Sequence, residues 1–161
     1  MNESLSIARV LRDHGLDFVV IGGQAAIAHG VYRNTEDLDI VYLPSPESIN
    51  QLYVAVASIG GFIITDDIDP VTRLERTRPV TLADCRRPLA LMGTDLGYLD
   101  AMQFVPGVEG AHVDNLFSTA ILIDDVRYAS KDWLRRMKLA AGRAIDLKDL
   151  RALYPDESFD G

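Results

Sequence analysis

At 161 residues, 48% of them hydrophobic, the chain is sized for a single globular domain with a real core, and a second full domain does not fit. A formal net charge of −8 argues against broad, non-specific binding of nucleic acid, whose phosphates reward a basic surface. Cys85 is the only cysteine, which excludes an intrachain disulfide and suits a reducing cytoplasm, the expected location.

Met1 to Val10 carries Glu3 and Arg9 among scattered apolar residues, with neither a basic leader nor a long apolar run, so secretion is not expected. Leu5, Ile7, Ala8 and Leu11 recur near helical spacing and predict a helix over Ser4 to His14, stopped at His14-Gly15. Asp17 to Ile21 is a short, Val-rich apolar run between Gly15 and Gly22-Gly23, as expected of a strand buried on both faces. The Ala-rich stretch Gln24 to His29 predicts a short helix after the glycines. The apolar stretch Phe18 to Val31 is interrupted by Gln24 and His29 and falls short of the roughly 20 residues that cross a bilayer, so no membrane association is expected.

Leu38 to Leu43 predicts a second strand, closed by Pro44. Ser45 then caps a helix with Pro46 at its first position, running to about Ile59 and ended by Gly60-Gly61. Phe62 to Thr65 predicts a third strand. Residues 66 to 90, rich in Asp, Arg and Pro, predict loop with short elements, Val80 to Ala83 being a weak strand. Gly97 to Val105 predicts a strand with Tyr98, Asp100, Met102 and Phe104 on one face, stopped by Pro106-Gly107. Val126 to Ala129 is one more strand. Ser130 caps a helix over Lys131 to Gly142, and a last helix spans Asp146 to Leu153. Strands alternating with helices, without internal repeats, predict an α/β or α+β domain with a mixed sheet flanked by helices and a helical C-terminus, over residues 1–154, with a frayed tail over 155–161.

The chemistry is concentrated in Ile21-Gly22-Gly23 and in Arg33-Asn34-Thr35-Glu36-Asp37-Leu38-Asp39-Ile40. A Gly-Gly turn between a strand and a helix exposes backbone N–H groups where phosphate oxygens bind. Asp37 and Asp39, two apart on a strand, project to one side, and carboxylates held so close repel unless a positive charge lies between them. Magnesium, a hard ion that keeps waters and accepts substrate phosphates, matches such a pair, and manganese can substitute.

This run resembles the signature of the polymerase-beta-like nucleotidyltransferase superfamily: strand, Gly-Gly, short helix, then Asp-x-Asp on the next strand. Gly22-Gly23-Gln24-Ala25, His29-Gly30 and Arg33-x-Thr35-x-Asp37-Leu38-Asp39 are similar to the branch containing the AbiEii-type toxins and small bacterial nucleotidyltransferases. So are Lys138, Ala141-Gly142-Arg143 and Asp146-Leu147-x-Asp149-Leu150. The resemblance implies that Asp37, Asp39 and Asp100 hold metal ions and that Asp100 helps deprotonate the attacking hydroxyl. Asp95, Asp124 and Asp125 are alternatives for the third carboxylate. It further implies that Gly22 and Gly23 cradle the triphosphate and that Lys138 supplies a point charge to it. Arg33 or Thr35 would bond phosphate or brace the loop, and Asp146 would orient Lys138 or Arg143. Structural pairing of Arg33 with Glu36 or Asp37 is the rival reading. His29 is read as packed or capping, and Cys85 as no nucleophile, for want of a base partner.

The implied reaction moves a nucleoside monophosphate from an NTP, ATP included, to a hydroxyl on an RNA 3′ end such as that of tRNA, on a protein, or on a small molecule. A homodimer or a toxin–antitoxin partner is the implied assembly. The alternative is a non-catalytic nucleotide-binding regulatory or antitoxin module; a third reading leaves the carboxylates merely solvated. Two basic groupings, Arg73, Arg76, Arg78, Arg86, Arg87 and Lys131, Arg135, Arg136, Lys138, are either solvated faces or contacts for a polyanion.

Overall fold

The computed structural model describes residues 3–159. The chain order is α1 (Glu3–Asp13), β1 (Val19–Ile21), α2 (Gly22–Ala28), β2 (Asp37–Val41), α3 (Pro46–Ser58), β3 (Phe62–Ile68), β4 (Glu75–Pro79), α4 (Leu82–Cys85), β5 (Leu89–Thr94), β6 (Gly97–Met102), α5 (Val113–Ser118), β7 (Ile121–Ile123), β8 (Val126–Tyr128), α6 (Lys131–Ala141) and α7 (Ala144–Leu153). The strands form one mixed sheet in the order β4-β3-β5-β6-β2-β1-β8-β7, parallel only at β2/β6 and β1/β8. The α/β expectation with a mixed sheet and a helical C-terminus therefore holds. No helix among the described residues is long and apolar enough to cross a membrane.

Period-2 alternation gives the sheet two unlike faces. Leu38 and Ile40 pair with Leu99 and Ala101, which pair with Met92 and Ala90; all are buried and point to one face. That face is covered by α1, whose Ile7, Ala8 and Leu11 are buried, and by α3, which packs on α1 through buried Leu52, Ala55 and Val56. The opposite face carries Asp39, Asp100 and Ile21, and α6 lies over it. The predicted cap of α3 is present: Ser48 N–H donates to Ser45 Oγ at 3.0 Å and Ser45 N–H to Ser48 Oγ at 2.8 Å.

Residues 66 to 90 depart from expectation. β4 forms a hairpin with β3, yet all five of its residues are exposed, so no alternation marks it in the sequence. Val80 to Ala83 is not a strand. Thr81 instead caps α4, sharing a reciprocal cap with Asp84, and Arg78 donates to Asp84 at 2.7 and 2.8 Å. β5, α5 and β7 are further elements, for which the sequence carries no prediction of a strand or helix.

Over 155–159 the chain folds back: Phe159 is buried against Tyr154, its carbonyl accepts from Arg151 at 2.8 Å, and Arg135 pairs with Glu157 at 2.6 Å and lies over the Tyr154 and Phe159 rings. Phe159→Ala is expected to cost about 2–4 kcal/mol in a urea titration, as for a buried aromatic; a loss within 0.5 kcal/mol, roughly that of a surface change, would mean the tail does not pack.

Candidate active site

β1 runs into α2 without a loop, and the turn is made by Gly22 at φ +68. A Cβ at Gly22 would sit 2.4 Å from Asp39 Oδ2, and one at Gly23 would sit 3.0 Å from both Arg33 Nη2 and Thr35 Oγ1. The corner is thus glycine because side chains close on it from both sides, and no side chain caps the amides that open α2. His29 belongs to the scaffold, as expected: its Nε2 hydrogen-bonds the Ala129 carbonyl at 2.8 Å, tying α2 to the end of β8.

Parallel pairing sets Asp39 beside Asp100 and Asp37 beside Tyr98, with Ile21 opposite Asp39 on the other flank. The Asp39 and Asp100 carboxyls lie within hydrogen-bonding reach of each other. Burial, then the Asp100 charge and hydrogen bond and the Asp37 charge, push Asp39 up to about 7, against a downward pull from Arg143. Asp100 is also raised, first by burial and then by Asp37, while the hydrogen bond from Asp39 lowers it. Asp37 is exposed at the strand's start and acts on this pair through its charge. The three expected carboxylates therefore share one sheet face. The alternatives do not join them: Asp95 packs on Gly60 after α3, and Asp124 and Asp125 form the β7–β8 turn at positive φ.

Among the described residues, no three His, Cys, Asp or Glu side chains are close enough to enclose a metal ion by themselves. Magnesium does not require such a cage, since one or two carboxylates completed by water and phosphate are its usual protein ligands. Two confronted carboxyls, one raised to near neutrality, are the donor set that a hard cation would stabilise. The residues present fit that ion.

Asp39 and Asp100 open onto a cavity of about 410 Å³, walled by Ile21, Gly22, Met102, Gly107, Met137 and Arg143, among others. The cations around it divide into two kinds. Lys138, expected to face the triphosphate, and Arg33, expected to bond phosphate or brace the loop, converge on Asp149: Lys138 Nζ donates to Oδ2 at 2.7 Å and Arg33 Nη1 to the same oxygen at 2.6 Å, with Asp149 only 1% exposed. The ion-pair partner of Arg33 is Asp149. Arg33 and Thr35 accordingly stand against Gly23 as braces. Arg143 is different. Gly142, left-handed at φ +61, turns the chain between α6 and α7, and Arg143 follows with its side chain 72% exposed while Asp146 grips it at 2.7 and 3.1 Å. Burial alone would raise Asp146, but the Arg143 hydrogen bonds and charge, and then Lys138 at 3.9 Å, hold it below the usual carboxylate range. Asp146 thus orients Arg143 chiefly and touches both cations. Burial and then the Asp84 charge raise the Cys85 thiol to about 11, consistent with no nucleophilic role.

Asp149 had no assigned role in the sequence. Its signal was the Asp146-x-x-Asp149 spacing, which puts both carboxylates on one face of α7.

No family model matches the chain. A CC-adding tRNA nucleotidyltransferase from Halalkalibacterium halodurans is 40% identical over 53 residues, which is 33% of this chain and 14% of that enzyme. JHP933 from Helicobacter pylori superposes with a TM-score of 0.53 at 20% identity, covering 96% of this chain and 65% of JHP933. ANT(2")-Ia, solved with adenylyl-2"-tobramycin, superposes at 0.51 and 16% identity, covering 93% of this chain and 84% of that one. This chain thus spans about a seventh of the first protein and just under two thirds of the second. It has the fold of the nucleotidyltransferases.

Two measurements test this arrangement. Asp149→Ala strips buried Lys138 and half-buried Arg33 of their counter-charge and should cost about 3–5 kcal/mol by chemical denaturation, whereas Arg143→Ala, which removes a side chain 72% exposed, should cost about 1 kcal/mol or less. Equal losses would remove Asp149 as the hub. Because Asp39 holds its proton up to about 7 in the folded chain but only to about 4 unfolded, the native state binds the extra proton, so this group makes the metal-free protein less stable as pH rises between those values. Asp39→Asn should flatten that slope and raise stability at pH 8 by about 1–3 kcal/mol; an unchanged difference from pH 5 to pH 8 would contradict the raised carboxyl.

Proposed function

We propose that the protein is a divalent-metal-dependent nucleotidyltransferase that moves a nucleoside monophosphate from an NTP to a hydroxyl acceptor. The observation that carries this reading is the confrontation of Asp39 and Asp100 at the mouth of a cavity, with the Gly22 corner against one oxygen of Asp39 and the exposed guanidinium of Arg143 nearby.

In this reading Asp39 and Asp100, with Asp37 beside them, hold the cation; bound there, magnesium neutralises the carboxylates and draws charge from the phosphate under attack. The chain's own groups bind and orient. The amides at the start of α2 and the Arg143 guanidinium receive the triphosphate, which needs charge-assisted donors rather than covalent help. Asp146 fixes the direction of Arg143. Asp100, beside Asp39 in register, accepts the proton of the acceptor hydroxyl as its oxygen attacks the α-phosphorus and pyrophosphate departs. Lys138, engaged by Asp149, contributes a fixed positive wall rather than a mobile ligand.

The finer assignment we favour is the AbiEii-type branch, supported by its two sequence blocks meeting here: Arg33 of the first and Lys138 of the second bind the same carboxylate oxygen. A toxin–antitoxin pair is the corresponding biological setting. The purified protein, given magnesium and each α-labelled NTP with and without total RNA, should transfer label, and Asp39→Ala should lower transfer at least about 100-fold. Nucleotide binding without transfer to any acceptor would favour a regulatory module. Neither binding nor transfer would sink the reading.

A further inference from the structure

The cavity at the carboxylates has two unlike ends. Its polar side chains are linked to one another: Asp39 lies against Asp100, Arg143 acts on Asp39 through its charge and is held by Asp146, and Lys138 stands 3.9 Å from Asp146. Along β6, Met102 shares the face of Asp100 and follows it by two residues, about 7 Å along the strand. Beyond Met102 the walls are Pro106 and Gly107 on one side and Met137 and Ala140 of α6 on the other. A Cβ at Gly107 would come within 3.0 Å of the Ala140 Cβ, so the segment after β6 closes directly on α6 there. Met102 and Met137 are both buried, which fixes them against the core while one edge of each borders the cavity.

The size of the cavity restricts what it can hold. Its volume of about 410 Å³ lies at the low end of single small-ligand sites, roughly 300–1,000 Å³, which suits one nucleotide and leaves no room for an acceptor beside it. The next step rests on the transferase reading above. With the triphosphate drawn toward Gly22 and Arg143 and the α-phosphorus at the cation held by Asp39 and Asp100, the nucleoside on that phosphorus must continue into the cavity, and the apolar end lies about one ribose further on. A flat, uncharged ring suits walls of thioether, whose polarisable sulfur makes favourable contacts with aromatic rings.

Telling one base from another requires donors and acceptors placed at its edge. Among the described residues that line the cavity there is no Ser, Thr, Asn, Gln, His or Tyr. The charged ones are engaged elsewhere: Lys138 donates to Asp149 at 2.7 Å, and Asp146 holds Arg143 at 2.7 and 3.1 Å. Pro106 has no N–H to offer. Contact area is what remains to discriminate, and methionine side chains adapt to rings of different outline. We propose that the end of the cavity between Met102 and Met137 is a nucleobase slot that accepts all four bases without reading them. Met102, Met137 and Ala140 are then the residues that set nucleotide specificity, and they leave only a modest preference for the larger purine rings.

The test measures, by titration calorimetry with magnesium, the binding of ATP, GTP, CTP, UTP and inorganic tripolyphosphate. ATP and GTP present opposite groups at one edge position, as do CTP and UTP, yet the Kd values within each pair should agree to about fivefold. Every NTP should bind at least about fivefold tighter than tripolyphosphate, which has no base to place in the slot. Ala140→Phe, at an exposed position, should keep the wild-type melting temperature and the tripolyphosphate Kd while weakening all four NTPs at least about fivefold. A larger difference within either pair would overturn the unread slot. NTPs that bind no better than this over tripolyphosphate would take the base out of it, as would an Ala140→Phe variant that spares the NTPs or weakens tripolyphosphate as much. Each of these results leaves the transferase reading standing, because the triphosphate still binds with magnesium. Absence of binding by every ligand would bring down both readings.

Discussion

Two carboxyls in contact are an unfavourable arrangement, and the fold is organised to impose it. Parallel pairing of β2 with β6 fixes Asp39 next to Asp100, and neither can turn away without abandoning the buried partners on the reverse face, Leu38, Ile40, Leu99 and Ala101. The repulsion is therefore sustained by hydrophobic burial on the far side of the same strands. Its relief must come from a proton or a cation, and the raised affinity of Asp39 for a proton measures that demand in the absence of a metal.

The positive side chains are arranged around this centre by a comparable division. A cation out of water must be paired, and Asp149 pairs buried Lys138 and half-buried Arg33 at once, linking the segment before β2 to α6 through α7. Because Arg33 also closes on Gly23, the same carboxylate indirectly fixes the glycine corner. Arg143 escapes this requirement through its exposure. One network thus holds the walls in place while the Arg143 guanidinium, oriented by Asp146, faces solvent.

The readable parts of the sequence were those where local chemistry and tertiary demand coincide. Gly22-Gly23, the Ser45-Pro46 cap, the Asp37-x-Asp39 strand and the Ser130 cap all carry signals within a few residues, and each appears where its spacing placed it. β4 did not, because Glu75 to Pro79 is exposed on both faces and held by pairing with β3 alone. β5 follows Pro88 directly, and its exposed Leu89 and Leu91 blur the alternation expected of a strand with one solvated face. The shared partner of Lys138 and Arg33 was not legible for another reason: a charge on a sequence motif says nothing about its partner, and Asp149 lies 116 positions from Arg33. Ion pairing over such separations is settled by how α7 docks, which periodicity does not encode.

The two-sided sheet links these features. Alternation assigns every second residue of β6 to the core and leaves Tyr98, Asp100 and Met102 on the other side, so one strand contributes an exposed aromatic, a reactive carboxyl and a cavity wall in succession. Shifting its register by a single residue would bury Asp100 among Ile7, Leu38 and Ile40 and expose Leu99 in its place, an exchange the core could not accommodate. The chemistry of the face is thereby tied to the stability of the core. The far strand of this face is less constrained: Leu89 and Leu91 are exposed and contribute little burial, so changes there leave the core and the carboxyl pair in place.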